Sequence, residues 1–334
     1  MPDRNTLWIN LIKGIIVKIL NEVKSMVSKN FTFKSDDGTE VFVYKWTPEN
    51  IEIKGIVQIS HGMAETAARY GRFANILTKN GYIVYASDHR GHGKTAGDVE
   101  SLGYLGDKDG FDWLVKDLYK LTKIIKDENP DLPLFLFGHS MGSFAAQRYI
   151  MLYGKELKGV ILSGSNGKQG ILLDIGSMIA KREIKKYGRK SPSEKLNNLV
   201  FGNYNKAFKP NRTEFDFLSR DNDEVDLYID DPFCGTVFTT GFFYDFFVGL
   251  KVIEDKENIA LVPKDLPIYI FSGDKDPVGK FGRGVINLYN RYKEHGTKDL
   301  EYKLYKDGRH EMLNETNRDE VMNDVVQWLD SHVL

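Results

Sequence analysis

One short stretch restricts this chain more than any other: Leu134-Phe135-Leu136-Phe137, then Gly138-His139-Ser140-Met141-Gly142, then a helical run that begins near Phe144. A short apolar run bounded by turn residues reads as a buried strand. Two glycines around one serine indicate a reversal too tight for flanking side chains, since glycine alone lacks the Cβ that would block it. A strand, a sharp turn and a helix in that order hold the serine strained at the carboxyl end of a parallel sheet, hydroxyl exposed. The amino end of the following helix also favours negative charge developing there. A tight turn with an idle serine is the plainer alternative, and the rest of the chain has to separate the two.

From residue 30 onward, short β-branched or aromatic runs alternate with longer helical patterns, as a mostly parallel sheet requires. Strands are expected at Phe31–Lys34, Val41–Trp46, Ile56–Ser60, Tyr82–Ser87, Leu134–Phe137, Val160–Ser163, Ile268–Ser272 and Glu301–Tyr305. Asp36-Asp37-Gly38 joins the first two as a hairpin turn. In one helix, Phe111, Leu114, Val115, Leu118, Leu121 and Ile125 form an apolar stripe, with Lys116, Asp117, Lys120 and Lys123 expected on the opposite face. Pro130 and Pro133 then stop it. The alternation breaks between about 166 and 258, far too long for an ordinary connection. Within it, 13 of the 50 residues from 201 to 250 are aromatic, against 12% for the whole chain. The expected architecture is α/β: a mostly parallel eight-stranded sheet with helices on both faces and a helical cap inserted over residues 166–258. Residues 29–165 and 259–334 then form the core.

The 334 residues suffice for one large domain with such an insertion. Lys and Arg total 46 against 47 Asp and Glu, a net charge of −1, which argues against a nucleic-acid partner. One cysteine, Cys234, permits no intrachain disulfide, and a reducing, cytoplasmic location is the simplest expectation. Seven histidines without zinc-type spacing give no basis for a metal, and no cofactor motif occurs. Residues 1–28 stand apart. Trp8, Ile12, Ile15, Ile16, Ile19 and Val23 recur at helical spacing, broken by Lys13, Lys18 and Lys24. The charge-free run is too short to span a bilayer. An amphipathic helix lying on a membrane surface or on the protein is expected, with peripheral membrane contact through residues 1–28 as one consequence, and a non-native upstream extension is the alternative. Oligomeric state has no signature in the sequence.

A serine hydroxyl needs a base to take its proton, and the base needs an orienting acid, here in the order serine, acid, histidine. After Ser140 only His295, His310 and His332 remain. His332 is near the end of a helix and His295 follows a helical segment, whereas His310 lies in a loop just past the last strand. The acid should follow the preceding strand, where Gly273-Asp274-Lys275-Asp276-Pro277 supplies two candidates. Asp276 is preferred because Pro277 holds its backbone extended; Asp274 suits a turn-stabilising side-chain bond. For a tetrahedral intermediate, the Met141 amide and an amide of the loop Ser60–Glu65, at Met63, are the candidate donors. Asp88-His89-Arg90-Gly91-His92-Gly93 reads as a structural loop with Asp88 and Arg90 in internal hydrogen bonds.

With these residues in hand, the chain resembles the monoacylglycerol lipase and lysophospholipase branch of the α/β-hydrolases. The matching blocks are His61-Gly62-Met63-Ala64-Glu65 with Arg69-Tyr70, the Asp88–Gly93 loop, Gly138–Gly142 and Gly273-x-x-Asp276. The resemblance implies an α/β-hydrolase fold, oxyanion donors at Met63 and Met141, and Glu65 and Arg69 near the polar head of a substrate. A buried ion pair is the competing role for Glu65 and Arg69. Two features depart from the branch. Leu313 stands where animal relatives carry a second histidine, and the cap matches none of them residue by residue. The expected activity is hydrolysis of a lipid-like carboxylic ester through an acyl-enzyme on Ser140, with His310 and Asp276 completing the triad. A short-chain or aryl esterase, or a serine peptidase, would use the same triad. A ligand-binding protein with an idle triad is the alternative from another class.

Overall fold

A computed structural model describes residues 26–333. At its centre is one sheet of eight strands: β1 (Met26–Lys34), β2 (Glu40–Pro48), β3 (Gly55–Ser60), β4 (Tyr82–Ser87), β5 (Leu134–His139), β6 (Gly159–Ser163), β7 (Ile268–Gly273) and β8 (Leu300–Tyr305). They lie in the order β1-β2-β4-β3-β5-β6-β7-β8. β2 runs antiparallel to both β1 and β4, and the other pairings are parallel. Every expected strand is present, and Asp36-Asp37-Gly38 makes the β1–β2 turn, with Gly38 at φ 91°.

The sheet departs from expectation at its start. Residues 26–28, which apolar spacing placed at the end of an amphipathic helix, belong to β1 and pair from Met26↔Pro48 to Ser28↔Trp46. The open edge of β2 satisfies their backbone, a partner that periodicity along one segment cannot reveal. The rest of the expected helix lies outside the described residues.

The longer helices are α1 (Gly71–Lys79), α2 (Gly110–Glu128), α3 (Met141–Tyr153), α4 (Ile171–Tyr187), α5 (Glu194–Phe201), α6 (Asn222–Asp230), α7 (Thr240–Glu254), α8 (Arg283–His295) and α9 (Arg318–His332). Successive residues of a strand face opposite ways, and β5 shows the result. Leu134 and Leu136 join a cluster with α2, α3 and α8, while Phe135 and Phe137 join one with α1 and α9. The α2 stripe from Phe111 to Ile125 is buried as its spacing required. Asp117 is not on the solvent face, however. It is 4% exposed, takes the Arg90 Nε–H at 2.8 Å and accepts from Ser35 Oγ. A guanidinium arriving from another loop recruits a polar residue at the edge of the stripe.

Helices α4 to α7 fill the excursion between β6 and β7. Its aromatic residues divide between two uses. Phe242, Phe243, Phe246 and Phe247 of α7 are buried in the same cluster as α2 and α3. Gly249 allows this close approach, because a Cβ there would lie 2.2 Å from the Phe111 ring. Phe217, Leu218 and Tyr228 form a smaller cluster with Phe201, Tyr204, Phe208 and Phe215 packed against it.

Candidate active site

Ser140 occupies the point where β5 stops and α3 starts, at φ 49° and ψ −119°. A non-glycine residue held there stores on the order of 1–3 kcal/mol of strain. Its neighbours leave no slack. A Cβ on Gly138 would lie 2.6 Å from Gly142 O, and one on Gly142 would lie 2.0 Å from Ser60 O. The Ser140 amide donates to Ser163 O at 2.9 Å, and Ser143 Oγ donates to Ser140 O at 2.6 Å. The elbow is thus pinned to β3, β6 and α3 together.

The loops after β7 and β8 bring Asp276 and His310 into contact, with His310 Nδ1 3.0 Å from Asp276 Oδ1. A carboxylate only accepts, so Nδ1 carries the proton and Nε2 is left as the basic nitrogen. Asp276 has no exposed surface. Burial opposes its charge, yet His310, the Ser272 hydroxyl at 2.6 Å and the Val278 amide at 2.8 Å hold its carboxyl below the ordinary value. Burial likewise opposes a charged His310, but the Asp276 carboxylate overrides it and raises the imidazole, with Glu311 and Glu65 adding to the rise. Asp274 is elsewhere: its Oδ1 accepts the Asp307 amide at 2.8 Å and stabilises a turn. His139 packs its ring 4.8 Å from that of His310 and, buried, is pushed down to about 3.

Met141 opens α3, where helix geometry leaves the first amides without an intrahelical acceptor. The loop carrying Met63 passes close by, since a Cβ on Gly62 would lie 3.3 Å from Ser140 Cβ. Two devices shape that loop. His61 Nδ1–H donates to Gly62 O at 2.8 Å while its Nε2 accepts the His89 amide at 2.9 Å. Glu65 Oε1 accepts the Gly62 amide at 2.5 Å and the Tyr70 hydroxyl at 2.9 Å. Of the Asp88–Gly93 loop, Asp88 accepts the Ala67 and Lys94 amides at 2.8 and 2.9 Å, and burial raises its carboxyl to about 6. Arg90 bonds Asp117 and Asp37, each at 2.8 Å. Asp88 and Arg90 are thus held in internal hydrogen bonds, while His92 Nε2 is buried without a hydrogen-bond partner among the described residues.

Glu65 and Arg69 are joined at 2.7 Å, and a third residue completes the group. Arg69 grips Glu311 with both nitrogens, at 2.8 and 2.7 Å, and stacks 4.9 Å above the Tyr228 ring. Despite its burial Glu311 is held down to about 2 by Arg69, whereas burial and the Glu311 charge raise Glu65. Sequence reasoning missed Glu311. It directly follows His310, but its partner lies 242 positions earlier and nothing local announces the pairing. Leu313, where the resemblance would place a histidine, is 8% exposed in the core beside α9.

Several of the site residues line a cavity of about 970 Å³, near the upper end of the ~300–1,000 Å³ typical of ligand sites. Ser140, Met141, Met63 and His310 line it together with Glu65 and Glu311. Seven of the thirteen aromatic residues of the 201–250 stretch line it, among them Phe201, Phe215, Phe217 and Phe246, with Leu172, Leu199 and Leu250 between them. Among the described residues, no helix is long and apolar enough to cross a membrane.

A family model described as Hydrolase_4, serine aminopeptidase S33, matches residues 51–317. A monoacylglycerol lipase of Mycolicibacterium smegmatis is 29% identical over 314 residues, 92% of this chain and 99% of that protein. The monoglyceride lipase of Rattus norvegicus is 26% identical over 297 residues, 89% of this chain and 88% of that one. A highly thermostable carboxyl esterase from Bacillus coagulans, solved in complex with glycerol, matches with a TM-score of 0.86. It is 32% identical and the match covers 92% of this chain and 100% of that chain. The sheet order, the serine elbow between β5 and α3 and these full-length similarities converge: the chain belongs to the Hydrolase_4 (serine aminopeptidase S33) family of α/β-hydrolases, in its monoacylglycerol lipase branch.

Proposed function

We propose that this chain hydrolyses carboxylic esters of medium or long acyl chains, with a monoacylglycerol or lysophospholipid as the natural substrate. The observation that carries this reading is the placement of Ser140 and His310 in the lining of a large cavity walled by aromatic and aliphatic side chains. In this reading His310 Nε2 takes the Ser140 proton as Oγ attacks the ester carbonyl, and Asp276 holds the imidazole and stabilises its charge. The Met141 and Met63 amides receive the developing oxyanion. The intermediate collapses when His310 returns its proton to the leaving alkoxide, leaving an acyl-Ser140. Water, activated by the same imidazole, then releases the acid.

Residues 166–258 serve as the cap, with the acyl chain running beneath it between Phe217 and Phe246. The glycerol-type head group lies toward Glu65 and Arg69, which act as a polar end wall rather than as free charges. The relatives named monoacylglycerol lipase and the esterase bound to glycerol support this direction. A peptidase reading draws on the family's description, but two carboxylates that line the cavity, Glu65 and Glu311, are both engaged by Arg69. Peripheral membrane contact is assigned to residues 1–25, since residues 26–28 pair within β1, and the single cysteine suits a reducing, cytoplasmic setting.

A panel of p-nitrophenyl esters and monoacylglycerols tests the substrate class. Turnover is expected to favour medium and long chains, and activity confined to acetate would overturn the acyl-chain reading. A base that works only as free imidazole also sets a pH signature. Because His310 is raised, kcat/KM is expected to climb with pH along a limb centred above the ordinary 6.5. Stability runs the other way for this residue: its contribution is complete below 6.5 and is lost as pH rises through the folded-state value. The contribution of Asp276, whose carboxyl is lowered, is complete above 3.8 and is lost on acidification. A limb centred below 6.5 would contradict the His310–Asp276 pairing.

A further inference from the structure

We propose that Glu315 is a positioning residue for the His310 base, and that it acts by locking the cap segment 216–220 to the histidine loop. This rests on His310 serving as the base. The contacts run along the whole loop. The His310 and Glu311 amides donate to Phe217 O and Leu218 O at 3.2 and 2.7 Å, a two-rung ladder between cap and loop. Arg309 donates from its guanidinium to Asp216 O and, at 3.0 Å, to Ser219 O. Ser219 Oγ donates to Asn314 O at 2.8 Å.

Glu315 closes this arrangement from below. Its side chain has no exposed surface and holds both partners at once. Oε1 accepts the Arg309 amide at 2.9 Å and the Arg220 amide at 3.1 Å, while Oε2 accepts Arg220 Nε at 2.9 Å and the Thr316 amide at 2.9 Å. One carboxylate therefore spans the residue before the base and the end of the cap segment. Buried charge-assisted bonds of this kind are strong and geometrically selective. As a consequence Phe217, which both lines the cavity and holds the His310 amide, keeps a fixed place beside the His310 ring. The network does not reach α4 and α5, whose exposed Leu172 and Leu199 lie at the cavity wall.

The test compares kcat per active site in Glu315→Gln, Arg220→Gln and the parent chain, with sites counted by fluorophosphonate labelling carried to completion. Misplacing a reacting group by about an ångström costs up to ~10²-fold. Glu315→Gln is expected to lower kcat per labelled site about 10-fold or more, with KM nearly unchanged and Glu315→Asp recovering part of the loss. A role in folding alone would reduce the number of labelled sites and leave kcat per site at the parental value, which would overturn the proposal. Arg220→Gln removes only the cap-side partner and reads the same quantity should Glu315→Gln not fold: a loss of about threefold or more supports the proposal, and no loss overturns it. His310→Ala separates the two levels of the argument. If it retains turnover, the base assignment fails; if it is inactive while Glu315→Gln matches the parent, only the positioning role fails.

Discussion

Asp276→Asn is expected to lower kcat by about 10⁴-fold with the fold intact, the loss seen when a triad aspartate is made an asparagine. The reason is the proton on His310. Asp276 Oδ1 accepts from Nδ1 at 3.0 Å and so keeps Nε2 free to take a proton. Asparagine offers one carbonyl oxygen in place of two: in Asp276, Oδ1 takes both the His310 Nδ1–H and the Val278 amide, and Oδ2 takes the Ser272 hydroxyl. An NH2 at the Oδ1 position would force the hydrogen onto Nε2, and an NH2 at the Oδ2 position would still remove the negative charge that stabilises the imidazolium, so the base is impaired either way. Asp274→Asn is the control, expected within about threefold of the parent, because exposed turn substitutions rarely exceed ~0.5 kcal/mol and asparagine still accepts the Asp307 amide. Steady-state kinetics on a soluble ester reads both variants. An inactive Asp274→Asn beside an active Asp276→Asn would reverse the assignment.

Gly142→Ala is expected to destabilise the protein by about 3 kcal/mol or more, the upper range for overpacking, and to abolish activity as well. Its Cβ would lie 2.0 Å from Ser60 O and 2.5 Å from His61 O, and both are backbone atoms of the sheet and of the loop that carries Met63. Neither can swing aside as a side-chain tip could. Relief requires moving α3 away from β3, which separates Ser140 from the candidate oxyanion donor. Gly71→Ala is the comparison, since nothing lies within 4 Å of a Cβ there and its backbone is already helical. That change is expected to be neutral or stabilising by up to ~1 kcal/mol. Urea unfolding of the two variants against the parent measures the difference. A Gly142→Ala protein within about 1 kcal/mol of the parent, a typical mild substitution, would contradict the elbow geometry.

Most of the sheet was legible because each strand carries its own local signal: apolar alternation or runs, ended by Gly, Pro or Asp. The elbow was legible for the same reason, since strand, glycines and helix are contiguous. What escaped depends on partners distant in the chain. Residues 26–28 look helical until β2 offers them a hydrogen-bonding edge. Asp117 looks exposed until Arg90 arrives. The aromatic stretch was visible as a composition, but its division between the α7 core and the cavity wall follows from packing that no spacing encodes. At the site, Ser140, His310 and Asp276 could be ordered along the sequence. Arg69 with Glu311, and Glu315 with Arg220, could not, because each pair joins separate loops.

The most direct measurement is turnover of a long-chain monoacylglycerol, with parallel fluorophosphonate labelling, by the parent chain and by Ser140→Ala. The parent is expected to release fatty acid and to label at a single serine, and the variant to do neither. A parent that does not label, or a Ser140→Ala protein that retains parental turnover, would contradict an acyl-enzyme on Ser140.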